Sequence, residues 1–149
     1  MVVIYHAVRP LPARIAAALH LCPAGDAPAS PASLLPDLAG QERTADLLRP
    51  QAGMRLEGVD PAGTRVYSCA TGAAPAVVER AFAGMARVCG IPPSAYRLVA
   101  VHEPPWAGAV LAALGLAGAR RAVSAYARLA GRAAAEAVRR GRGDGGAGA

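Results

Sequence analysis

The first 22 residues constrain the fold more than any other stretch. Val2-Val3-Ile4-Tyr5-His6-Ala7-Val8 is a short, β-branched apolar run, the pattern of a buried strand. Arg9-Pro10-Leu11-Pro12 reads as a tight loop, and residues 13–21 as a helix. A strand feeding a loop feeding a helix is the unit from which parallel α/β sheets are built. Such proteins hold phosphates and nucleotides at that loop. This loop has no glycine, serine, threonine or lysine, so the place of a ligand site is present without its usual donors.

The rest of the chain extends the same pattern. Residues 22–36 carry Pro23, Pro28, Pro31 and Pro36 and read as an irregular surface connection, with a turn at 33–38 and a short helix at 41–48 stopped by Pro50. Residues 54–59 alternate apolar and polar, Asp60-Pro61-Ala62-Gly63 is turn chemistry, and 64–69 alternate again, which predicts a β-hairpin. Thr71-Gly72-Ala73 leads into a helix with Pro75 in its first turn and Gly90 as its stop. Its predicted buried face is Val77, Val78, Ala81, Phe82, Met85, Val88 and Cys89, with Glu79, Arg80 and Arg87 off that face. Residues 96–102 form a second apolar run, expected as a central strand, and 106–116 a short buried helix. Residues 120–140 fit one long helix, or a short edge strand at 121–124 followed by a helix from Tyr126.

This order implies an α/β fold: a three-layer, Rossmann-like sandwich with a mostly parallel sheet plus one β-hairpin. Residues 1–140 are expected to form a single domain and 141–149 a flexible glycine-rich tail.

Charge and cysteine usage remove several functions. The formal charge is +6, every basic residue is Arg, and seven Arg against two acids in residues 118–149 place +5 of it there. Basicity confined to one segment argues against nucleic acid. It fits a solvated helix face or a protein partner docked on the C-terminal helix. Without lysine there is neither a Schiff base nor a P-loop. Cys22, Cys69 and Cys89 lack C-x-x-C spacing, so the expectation is reduced thiols, no zinc site and a cytoplasmic protein. Arg9 and Arg14 interrupt the N-terminal apolar run, unlike a signal peptide. The uncharged stretch 104–119 is 16 residues, short of the roughly 20 that span a bilayer, so no membrane segment is expected.

Ligands of open α/β sheets bind at the carboxyl ends of the strands. If residues 2–8 and 96–102 lie side by side and run the same way, three places share one rim. The first strand brings His6, with Arg9 and Arg14 beyond it. The second strand of the hairpin brings Ser68, Thr71 and Gly72, and the late strand brings His102 and Glu103. His6 has the chemistry of a general base. Thr71 and Gly72 before a helix have that of an anion cradle, and equally that of an ordinary turn and cap. His102 and Glu103 are adjacent, so on a strand they point to opposite faces. His20 ends an apolar helix face and reads as a packed or capping residue. Cys69 lacks a C-x5-R arrangement, and Arg142-Gly143-Asp144 is a chance tripeptide. No set of residues predicts a metal or cofactor.

Ile4-Tyr5-His6, the helix end Ala16-Ala17-Ala18-Leu19-His20-Leu21, the hairpin Gly58-Val59-Asp60 with Gly63 and Val66-Tyr67, Gly90-Ile91 and Ala125-Tyr126-x-x-Leu129 resemble a group of small bacterial proteins. This is domain-of-unknown-function family 3189, found mainly in Firmicutes. The resemblance implies a cytoplasmic α/β protein of about this length with no established activity. The family pattern has a Gly-Gly and a His-Ser-Ser run after the first strand, where this chain has Arg9-Pro10-Leu11-Pro12-Ala13-Arg14. The resemblance therefore implies a diverged member that kept the fold, and it favours the strand at 121–124.

Three functions follow as expectations. The first is a non-catalytic or degenerate domain for a small anion or nucleotide-like ligand, held by His6, Arg9, Arg14 and Thr71. The second is an interaction scaffold using the Arg-rich C-terminal helix. The third is a hydrolase or transferase using His6, or His102 with Glu103.

Overall fold

The computed structural model describes residues 1–22, 52–103 and 119–143. These form strand β1 (Val2–Ala7), helix α1 (Pro10–Leu21), β2 (Ala52–Val59), β3 (Arg65–Thr71), α2 (Pro75–Val88), a 3-10 turn (Pro93–Ala95), β4 (Tyr96–Ala100) and α3 (Ala119–Gly143). The protein is a mixed α/β fold on a four-stranded open sheet of order β2-β3-β1-β4. β1 runs parallel to both β3 and β4, and β2 pairs antiparallel with β3. Strands 2–8 and 96–102 are thus neighbours with a common direction, as the site argument requires. β4, however, is at the edge of the described sheet, not its centre. All four of its residues other than Val99 are only half-buried.

The hairpin is held by its turn. The Gly63 N–H donates to the Asp60 carbonyl and the Thr64 N–H to the Asp60 carboxylate (2.8 Å), with Gly63 at a φ of 78° that disfavours a side chain. The register steps from Leu56–Tyr67 to Gly58–Val66, so Glu57 is the extra residue of a bulge. Gly58 permits a close approach: a Cβ there would meet Leu21 Cδ1 at 2.9 Å.

α1 begins at Pro10, not at residue 13, and the loop shrinks to Val8 and Arg9. Both prolines fall in the first turn, where backbone N–H groups have no intrahelical acceptor and proline removes nothing. Leu11, Ile15 and alanines 13, 16 and 17 of α1 pack with Val3, Tyr5, Ala7, Val66 and Val99 of the sheet, and with Tyr126 and alanines 127, 130, 134 and 137 of α3. Alanine on both helices allows a close α1–α3 approach. α3 is one continuous helix, so no strand forms at 121–124, and residues 141–143 of the expected tail are helical.

The other parity of the sheet, Val2, Ile4 and Tyr67, borders α2. Here the predicted buried face is wrong. Only Ala86 of α2 is buried, and Val77, Met85 and Val88 are exposed. The helix is turned so that Val78, Glu79 and Phe82 are half-covered, which directs the Glu79 carboxylate toward the sheet edge. Among the described residues no helix is long and apolar enough to cross a membrane. The expected elements at 33–38, 41–48 and 106–116 lie outside the described residues.

Candidate cleft at the carboxyl edge

A cavity of about 270 Å3 opens at the carboxyl ends of β1 and β4. It is lined by residues 6–8, residues 100–103 and the first turn of α2, Pro75, Ala76 and Glu79. Its floor is stitched by backbone. The Val101 N–H donates to the His6 carbonyl (2.8 Å), and the Gly72 N–H to that of Val8 (3.2 Å). His6 is 5% exposed, and its Nε2 lies 3.4 Å from Glu79 Oε1. Burial pulls the His6 pKa below the ordinary histidine range. Glu79 opposes that shift and the charge of His102 adds to it. His102 is exposed and lines the same cavity. The cleft therefore pairs a buried, preferentially neutral imidazole with a solvent-facing one.

α2 starts here without a side-chain cap. Pro75 has no N–H, and both Val77 and Val78 donate to the Ala74 carbonyl. Ala76, in the cleft wall, thus carries the first-turn N–H left for a ligand among the described contacts.

The arginines expected to hold an anion are engaged elsewhere. The Arg9 backbone N–H donates to Glu103 Oε1 (3.1 Å), and its guanidinium to Glu103 Oε2. Burial works against the Arg9 charge, but Glu103 and Tyr126 more than offset it, and the pKa stands above the usual arginine value. Tyr126 of α3 is 1% exposed and borders this pair without a well-formed hydrogen bond to either partner; burial, reinforced by Glu103, pushes its phenol strongly up. Glu103 is thereby neutralised, which answers the opposite-faces argument: it buttresses the cleft behind His102 and does not act with it.

Arg14 and Ser68 belong to the other side of the sheet. Arg14 Nε donates to Glu57 Oε1 (3.1 Å), and the Ser68 hydroxyl donates to the same oxygen (2.6 Å). They line a separate 140 Å3 cavity under β2 with Arg55 and Pro10. Strand alternation explains the split, since His6 and Ser68 stand at opposite parity in the β1–β3 register. Thr71, the last residue of β3, donates its hydroxyl to the Ala7 carbonyl (3.0 Å), and Gly72, in the turn that follows, takes a φ of 61°; neither lines the cleft. Cys69, beside His6 in register, is buried, and burial raises its thiol pKa. His20 is packed, as expected, but with defined partners: Nδ1 meets the buried Tyr5 hydroxyl at 2.8 Å, and Nε2 meets Asp60 Oδ2 at 3.3 Å. Among the described residues no three His, Cys, Asp or Glu are grouped to hold a metal ion.

Of the eight expected site residues, the fold brings His6, His102 and Glu103 to one cavity, with Arg9 locked behind it. Sequence reasoning missed Glu79 and Tyr126. The only signal for Glu79 was its position one turn into a helix that starts at the rim.

Neither family models, curated proteins nor solved structures match this chain.

Proposed function

We propose that this is a three-layer, Rossmann-like cytoplasmic domain that binds a small, singly charged anionic or nucleotide-like ligand in the carboxyl-edge cleft. The observation that carries this reading is the meeting of His6, His102 and the uncapped first turn of α2 around one cavity. The volume lies just below the roughly 300–1,000 Å3 of drug-sized pockets, so it suits a small ligand or one end of a larger one. With Arg9 and Arg14 engaged by Glu103 and Glu57, anion affinity rests on the histidines and on backbone N–H groups. Glu79 in the wall disfavours a dianion. The kinship with family 3189 belongs to the same proposal: a member whose loop after the first strand has become the start of a helix.

A thermal-shift screen with phosphorylated metabolites and nucleotides tests the reading. Stabilisation is expected at millimolar ligand, larger at pH 6 than at pH 8, because protonated histidine favours the anion. No stabilisation by any compound at either pH defeats it.

A second reading is supported by α3. Arg128, Arg132 and Arg139 are exposed, and spacings of four and seven residues bring them to within about 40° around the helix. This stripe, opposite the buried alanines, suits an acidic protein partner.

A further inference from the structure

We propose that the cleft hydrolyses phosphodiesters, with His6 as general base and His102 as general acid, both lining one cavity. This rests on the reading of the cleft as an anion site and adds a reaction to it. Among the described residues the hydroxyl and thiol groups near the rim are engaged or buried. The Thr71 hydroxyl is donated to the Ala7 carbonyl, the Ser68 hydroxyl to Glu57 across the sheet, and the Cys69 thiol is buried. Water is the nucleophile that remains.

The two histidines sit in environments that separate their roles. His6 is buried with Glu79 beside its Nε2, the arrangement that orients a base and then stabilises the imidazolium it becomes. His102 is open to solvent, where a leaving alcohol departs and a proton is regained. Charge selects the substrate class. Arg9 pairs with Glu103, while Glu79 beside a neutral His6 has no cationic partner among the described residues of the cleft wall, so a phosphodiester monoanion is accepted better than a monoester dianion. In the step, His6 takes a proton from water as its oxygen attacks phosphorus. The bond to the leaving alcohol oxygen breaks, and protonated His102 gives that oxygen its proton. The products are a phosphomonoester and an alcohol; His6 then loses its proton to solvent and His102 regains one.

The test uses the full chain with bis(p-nitrophenyl) phosphate, reading nitrophenolate after alkaline quench from pH 4.5 to 9, with and without EDTA. A bell-shaped profile is expected. H102Q and H6Q are each expected to lower the rate about 100-fold or more. E79Q should retain part of the rate and move the acidic limb to lower pH, since Glu79 raises the His6 pKa. His102 is exposed, so H102Q separates catalysis from folding, and an unchanged rate in H102Q overturns the proposal. Stabilisation by the diester with no turnover above buffer overturns hydrolysis and leaves the binding reading standing. Neither binding nor turnover overturns both.

Discussion

His6 couples the cleft to stability. Its neutral form is favoured by the fold, so the unfolded chain binds the proton more readily. Below about pH 6.5, the unfolded value, protonation therefore favours unfolding, and stability falls until the lowered folded pKa is passed. The melting temperature of the wild-type chain should drop between pH 7.5 and 5.5 by more than that of H6Q. Equal drops in the two proteins would remove His6 as the cause. Arg14 makes a different prediction. It is 2% exposed and paired with a carboxylate that also holds Ser68. R14A should destabilise by about 3–5 kcal/mol in urea titrations, because it leaves a buried charge behind. The double variant R14M/E57L should cost less than R14A alone, since it removes both charges and keeps apolar volume.

At the scale of elements, the helices differ in how firmly they are held. α1 and α3 share a fully buried alanine interface, whereas α2 buries only Ala86. Hydrogen exchange should therefore be faster across Pro75–Val88 than across Pro10–Leu21, because local opening of α2 exposes little apolar surface. Equal protection of the two helices would contradict this picture. The α1–α3 seam is tight enough that A130L should cost about 1–3 kcal/mol by overpacking, read as a lower urea midpoint. The hairpin contributes through its turn, since His20 ties Asp60 back to the buried Tyr5 hydroxyl and so joins α1, β1 and the β2–β3 connection.

Across the whole molecule, charge and site are separated. The Arg stripe of α3 is on the surface, while the cleft is formed by β1, β4 and α2. Substituting Arg128, Arg132 and Arg139 with Ser should leave stability within about 0.5 kcal/mol and cleft binding unchanged. The same variant should abolish retention on an acidic polypeptide column at low salt. Retention that survives the triple substitution would defeat the scaffold reading.

Much of this architecture was legible in local pattern. The apolar runs at 2–8 and 96–102, the turn chemistry of residues 60–63 and the Pro75-to-Gly90 punctuation each report a periodicity or a backbone preference carried by neighbouring residues, and each element formed close to its expected place. The carboxyl rim followed because parallel strands place their ends together. Partner choice was not legible. Glu103 and Arg9 are 94 residues apart in sequence, and Glu57 meets Arg14 across 43; which carboxylate neutralises which arginine depends on packing, not on spacing. The rotation of α2 that aims Glu79 at His6 was likewise hidden, because an amphipathic pattern states which residues prefer burial but not how much apolar surface a neighbour offers. Sequence alone determined the elements and the edge where chemistry could sit. Tertiary structure decided which side chains reach that edge, because strand parity, helix rotation and long-range ion pairing are settled only when the layers close.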